Sequence, residues 1–266
     1  MMQNKFFSNI PVLILAGGFG TRLSEETVLM PKPMIEIGEK PMIWHIVKYY
    51  YTYGFRNFFI LLGYKGNIIK EFFMNYQKYQ GSLNVSNNTV FNFSNNSEDW
   101  TINLIETGLH SQTGGRIKRA LRFIKNKTFC LTYGDGLSNV DLLGLYNFHK
   151  KSNKLATVTA VAPPSRFGHI LLDKNNSVKK FNEKPTVNMR SKEWINGGFF
   201  ILSNKVKEYI KDDQTKWEEE PLSEIVKINQ LSAFKHTGFW QPVDTLREMK
   251  LLNEMWNKGI APWKIW

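Results

Sequence analysis

Apolar and polar positions along the chain fall into two alternating rhythms. Residues 12–15, 57–62, 128–133 and 156–161 are short apolar runs, the pattern of strands buried on both faces. Between them lie longer stretches with apolar residues at helical spacing. Residues 41–53 read as a helix, with Pro41 at its start and Gly54 just past its end. Residues 67–76, 140–152 and 221–229 read as further helices, the acidic Glu218 to Glu220 favouring the dipole of the last of these. Thr113 through Ile124 is another, with Ile117, Leu121 and Ile124 as its apolar positions. The final helix is 246–256, with Asp244 placed as its N-cap. Residues 101–106 and 231–236 complete the strands, and 195–200 passes from a small, polar segment into a hydrophobic one. Residues 81–97 turn to Asn and Ser, with Val90-Phe91-Asn92-Phe93 alternating, and predict an antiparallel excursion or long loop. This order of strands and helices predicts an α/β fold, a mixed and mostly parallel sheet with right-handed crossovers, flanked by helices.

The first apolar run breaks into Ala16-Gly17-Gly18-Phe19-Gly20-Thr21-Arg22. Glycines here let the backbone turn tightly and approach a bound group, because no Cβ stands in the way. Successive N–H groups in such a turn form an anion-binding nest. Arg22 adds a guanidinium fork suited to phosphate oxygens, and Lys32 adds a compact charge held between Pro31 and Pro33. That combination is chemistry for a polyphosphate. It is neither a dinucleotide fingerprint, whose third glycine is missing, nor a Walker loop, since no Gly-Lys-Ser/Thr follows.

Composition changes the picture mainly by exclusion. The chain has 266 residues, 42% of them hydrophobic, enough to bury a sizeable core. No apolar run approaches the ~20 residues that span a bilayer, and residues 1–9 lack the apolar centre of a signal peptide. Cys130 is the single cysteine, so no internal disulfide can form; its place in Phe129-Cys130-Leu131 reads as strand packing. These features point to the cytoplasm. Net charge is +12, but the lysines are dispersed, which favours a solvated surface over a nucleic-acid footprint.

Two isolated carboxylates remain. Asp135 lies in Gly134-Asp135-Gly136 after a strand, where ligands of open α/β sheets bind. Asp244 follows Gly238-Phe239-Trp240-Gln241-Pro242-Val243. Two carboxylates with phosphate oxygens are the usual way to hold Mg²⁺, although the spacing alone does not bring these two together. Gly114-Gly115 before a helix offers a second place for a ligand to approach, or else a simple capping turn. Lys184, before Pro185, is a second proline-braced lysine. The five histidines have no metal spacing, so zinc is not expected.

The strings LAGGFGTRLSEET, PKPMIEIG, GYKG, TGGRIKR, TYGDG, EKP, WINGGFF and GFWQPVDTLRE together resemble the sugar-1-phosphate nucleotidyltransferases, and within them the glucose-1-phosphate cytidylyltransferase branch. The resemblance runs from about residue 12 to the closing APWKIW. It implies a Rossmann-like nucleotide-diphospho-sugar transferase fold, in one domain over 1–266, with 1–10 as an extension and 81–100 as an inserted loop or hairpin. It implies transfer from CTP to glucose 1-phosphate, with uridylyl or thymidylyl transfer, or a non-catalytic nucleotide-sugar-binding subunit, left open by the residue chemistry alone. It implies a Mg²⁺ cofactor, no nucleic-acid or membrane partner, and a cytoplasmic homo-oligomer, a hexamer in the family, serving dideoxysugar or surface-polysaccharide synthesis. Carried over residue by residue, Arg22 and Lys32 would be catalytic. Leu15, Ala16, Gly17, Gly18, Gly20, Thr21, Arg22, Lys32, Ser111, Thr113, Arg116 and Gly134 would bind the nucleotide. Glu183, Lys184 and Asn196 would take the sugar phosphate, and Asp135 and Asp244 the metal. Met30 and His169 depart from the family's usual residues. The aromatic tail with Trp256, Trp263 and Trp266 is expected to pack on the body or on a neighbouring subunit.

Overall fold

A computed structural model describes residues 7–20, 30–76, 83–86, 89–92, 98–163, 169–172, 174, 177–182 and 193–266. Its centre is a seven-stranded sheet. In chain order the strands are β1 (Pro11–Ala16), β2 (Asn57–Leu62), β3 (Thr101–Glu106), β4 (Thr128–Tyr133), β5 (Ala156–Val161), β6 (Ile195–Ser203) and β7 (Leu231–His236). Across the sheet they run β7-β5-β6-β4-β1-β2-β3. Neighbours are parallel except at β6, which is antiparallel to both β4 and β5. The mixed, mostly parallel sheet expected from the sequence is therefore the one observed.

The apolar runs are explained by helices on both faces. Alternate side chains of a strand point to opposite sides, and here each side has its own core. Val12 and Ile14 of β1, Phe58 and Ile60 of β2, Cys130 of β4 and Phe199 and Ile201 of β6 enter one cluster. Leu13 and Leu15, Phe59 and Leu61, Phe129 and Leu131, Phe200 and Leu202 enter the other. The first face carries helices α1 (Met42–Thr52), α2 (Gly66–Tyr76), α4 (Leu142–Ser152) and α6 (Leu246–Asn257). The second carries α3 (Thr113–Ala120) and α5 (Glu220–Lys227). Cys130 is fully buried in its strand, as expected, and burial pushes its thiol pKa up, which leaves it inert.

Residues 83–86 and 89–92 pair antiparallel, so the Asn-rich stretch contains a hairpin. The aromatic tail packs on the body: Trp263 is fully buried, stacks on Phe239 and donates to His45. Trp266 meets the ring of Trp44 edge-on. Most helix ends lie within one or two residues of expectation, and larger differences fall at the end of α3 and the cap of α6. Helix α3 ends at Ala120, and Ile124 is buried from the turn beyond it. The N-cap of α6 is Thr245 rather than Asp244: the Thr245 hydroxyl accepts from Glu248 N while Glu248 accepts from Thr245 N, a complete capping box.

Candidate active site

Strand order reverses between β4 and β1, and open α/β sheets bind ligands outside the strand ends at such a point. A cavity of about 470 Å³ opens there. Its walls are the loop after β1, the segment 109–113 leading into α3, the Tyr133-Gly134-Asp135 turn after β4, and Lys32 with Asp244. Leu15, Ala16, Gly17, Gly18, Gly20, Lys32, Ser111, Thr113, Arg116, Gly134, Asp135 and Asp244 all line it, so residues widely separated in sequence do converge.

The glycines serve distinct purposes. A Cβ on Gly18 would meet nothing, so its backbone is open to a ligand. Gly20 has φ 66°, a left-handed conformation that favours glycine. A Cβ on Gly17 would overlap the Arg116 guanidinium beneath it. Gly134 N donates to Leu15 O at 2.9 Å, tying the β4 turn to the end of β1.

Lys32 stands in a short 3-10 turn, Lys32–Met34, whose flanking prolines hold the chain. Its ammonium donates to Asp135 at 2.8 Å and to Asp244 at 2.6 Å. Burial alone would lower its pKa, but the two carboxylates more than offset this and hold it above the ordinary lysine value. Displacement of the cap to Thr245 leaves the Asp244 carboxylate for Lys32. The two aspartates expected to meet are thus joined through one cation.

Arg116 is buried at the cavity floor. Its guanidinium donates to the carbonyls of Leu62, Gly108, Gly17 and Leu109 and to the Thr107 hydroxyl. It therefore knits the loops after β1, β2 and β3 together, and burial draws its pKa down. Gly114 and Gly115 pack against protein rather than facing the cavity: a Cβ on either would overlap the backbone of Thr215 or Asp213. The Thr113 hydroxyl donates to Glu218 Oε2 at 2.6 Å and accepts from Trp217 N at 2.9 Å.

Asn196 lies beyond the lining but is joined to it, donating from Nδ2 to the Tyr133 hydroxyl at 3.2 Å. Tyr133 in turn donates to Glu218 Oε1 at 2.6 Å. Sequence reasoning missed Tyr133 and Glu218. The former looked like strand core and the latter like an acidic first helical turn, although α5 begins only at Glu220. Thr21, Arg22, Glu183 and Lys184 lie outside the described residues.

The donor set suits Mg²⁺. Two carboxylates already converge on one cation, and among the described residues no group of three or more His, Cys, Asp or Glu forms a cage. A hard cation that keeps waters and takes its remaining oxygens from phosphates needs no more than this.

The family described as Nucleotidyl transferase matches residues 11–245. Glucose-1-phosphate cytidylyltransferase of Salmonella typhimurium is 46% identical over 96% of this chain and 98% of its own. A probable glucose-1-phosphate cytidylyltransferase of Bacillus subtilis is 43% identical over 96% and 99%. Among solved structures, a putative glucose-1-phosphate thymidylyltransferase from Bacillus anthracis superposes with TM-score 0.65 at 18% identity, covering 92% of this chain and 94% of that one. A UDP-glucose pyrophosphorylase complexed with UDP-glucose gives TM-score 0.65 at 17% identity, over 94% and 99%. Both structures have the same fold, with a glycine-loop cavity in this chain at its strand-end crevice, and the match in sequence covers nearly all of it. The chain belongs to the nucleotidyl transferase family.

Proposed function

We propose that this chain is a glucose-1-phosphate cytidylyltransferase, joining CTP and glucose 1-phosphate to give CDP-glucose and pyrophosphate. The observation that carries the chemistry is Lys32 held between Asp135 and Asp244 beside the open backbone of Gly18. Base and sugar are carried by likeness to the cytidylyl relatives, at 43% and 46% identity over nearly their full lengths.

In this reading an oxygen of the sugar phosphate attacks the α-phosphorus of CTP in line, and the bond to the bridging oxygen of the β-phosphate breaks as pyrophosphate leaves. The attacking oxygen is already anionic at neutral pH, so no general base is required. The chain's work is positioning and charge stabilisation. Backbone N–H groups of the glycine loop hold the departing phosphates, and Lys32 supplies a charge aimed by two carboxylates. Arg22 adds a guanidinium for the leaving group. Glu183, Lys184 and Asn196 receive the sugar phosphate, where Lys184 screens one anion from the other. Asp135 and Asp244 would hold Mg²⁺, which when bound neutralises charge on the phosphate oxygens. By the same resemblance the protein works as a homo-oligomer in the cytoplasm; among the described residues no helix is long and apolar enough to cross a membrane.

Incubation with CTP, glucose 1-phosphate and Mg²⁺ should release pyrophosphate and CDP-glucose in equal amounts, and EDTA should stop it. Release that is indifferent to EDTA would remove the metal from the reading. CTP hydrolysis without a nucleotide sugar would remove the transfer. Titration calorimetry separates the half-sites: Lys184→Ala should weaken glucose 1-phosphate and spare CTP, and Lys32→Ala should do the reverse.

A further inference from the structure

We propose that Glu218 is a positioning residue for the transfer, fixing Tyr133 and Thr113 on adjoining walls of the cavity; this rests on the nucleotidyl-transfer reading. A carboxylate beside a cavity meant for polyphosphate works against the approach of an anion, so its placement calls for a use. Both of its oxygens are engaged. Tyr133 donates to Oε1 and Thr113 to Oε2, each at 2.6 Å, the short distance of a hydroxyl bonded to an ionised acceptor.

The carboxylate is itself held in place from behind. Gln112 N donates to Asp213 O, Gly114 N to Thr215 O and Trp217 N to the Thr113 hydroxyl. These bonds pin the segment before α5 to the start of α3 in a single register. Gly114 and Gly115 permit that approach, because a Cβ on either would overlap the segment. The glycine pair is thus explained by the wall it docks.

Tyr133 is oriented from two sides. Its hydroxyl donates to Glu218 and accepts from Asn196, whose Oδ1 accepts from Gly198 N. Its ring lies where a Cβ on Gly198 would stand, and Gly198 has φ 78°. Gly134 and Asp135 follow directly, so the direction in which Tyr133 leaves β4 sets the turn that presents the Asp135 carboxylate to Lys32. One side chain at the rim therefore couples the helix that borders the nucleotide side, the turn that carries Asp135 and the Asn196 segment on the sugar side.

A residue with this task should act on turnover more than on ground-state binding. Glu218→Ala and Tyr133→Phe are each expected to lower kcat by about tenfold or more, with KM for the nucleotide changed by less than about threefold. The double variant should be no more than about twofold worse than the poorer single, because residues acting as a unit are non-additive. Glu218→Gln, which keeps the shape and one acceptor oxygen, should fall between. The Glu218 variants should melt within a few degrees of the parent, since Glu218 is exposed, and so should Tyr133→Phe, which keeps the half-buried ring and removes only its hydroxyl. Each is assayed with whichever nucleoside triphosphate the parent turns over best. A parent that prefers UTP or dTTP overturns the cytidylyl reading and leaves the variant comparison standing as the test of Glu218. A parent that turns over none overturns both. Glu218→Ala within twofold of the parent, or single losses that multiply in the double variant, overturns the positioning role.

Discussion

Lys32, Asp135 and Asp244 form an ion triad in which the ammonium bonds both carboxylates at under 3 Å. The two acids differ in exposure, 40% for the Asp135 side chain and 16% for Asp244. Replacing either by Asn should cut turnover by about a hundredfold or more, as loss of a charge-positioning group does. The stability costs should separate. Asp135→Asn acts on a solvent-screened pair and should cost under about 1 kcal/mol. Asp244→Asn uncovers a more buried charge and should cost about 2 kcal/mol. Urea unfolding of the two variants checks the order, and a larger loss for Asp135→Asn would contradict it. Arg116 provides a second residue-scale test. Arg116→Met leaves the carbonyls of Gly17, Leu62, Gly108 and Leu109 without their shared donor, and should cost about 3 kcal/mol or more. That the triad exists was not legible in the sequence, because its members are 103 and 212 residues apart and only the sheet brings them together. Each was visible singly, as a proline-braced lysine or an aspartate near a strand end.

At the scale of elements, strands were legible almost to the residue. β2, β3, β4, β5 and β7 begin and end where their apolar or β-branched runs do. β2, β4 and β5 are buried on both faces, which leaves no polar alternation to blur their ends, while the edge strands β3 and β7 are only partly buried and β7 alternates. Helix ends were less legible, because caps depend on which neighbouring side chain reaches an N–H group. Asp244 and Thr245 are both good caps by type, and the capping box with Glu248 decides for Thr245. Thr245→Ala should cost about 1 kcal/mol. It should also reduce activity several-fold, since Glu248 accepts from the Asp244 and Thr245 amides together and the cap sets where Asp244 points. Thermal unfolding beside turnover checks this; activity that falls only as far as folding does would confine Thr245 to stability. Glu218 was illegible for a related reason. Three successive acids before a proline look like a helix dipole's complement, and nothing local reveals that the first of them faces Tyr133.

For the whole molecule, the buried histidines set a limit in acid. His45 donates from Nε2 to Ile37 O and accepts from Trp263, while His149 bonds the Thr157 hydroxyl. Burial, aided by Lys264 for His45 and by Lys150 for His149, lowers each pKa to about 4. The unfolded chain takes up these protons near pH 6.5 and the folded chain only near 4. Stability is therefore complete above pH 6.5 and declines as pH falls toward 4, by about 3 kcal/mol for each histidine. Chemical denaturation from pH 7.5 to 4.5 should show this slope, and a flat profile would contradict the buried neutral assignment. The tail takes part in the same structure, because Trp263 closes over His45. Removing 259–266 should consequently destabilise the fold of each chain, whatever it does to assembly.

The measurement that bears most directly on the central claim is pyrophosphate release over a grid of CTP, UTP, dTTP, GTP and ATP against several sugar 1-phosphates, in Mg²⁺, with the sugar product identified by mass. The highest kcat/KM is expected for CTP with glucose 1-phosphate, yielding CDP-glucose, with loss of that activity in Asp244→Asn. A different nucleotide preferred with the same sugar phosphate, or undiminished turnover in Asp244→Asn, would contradict that claim.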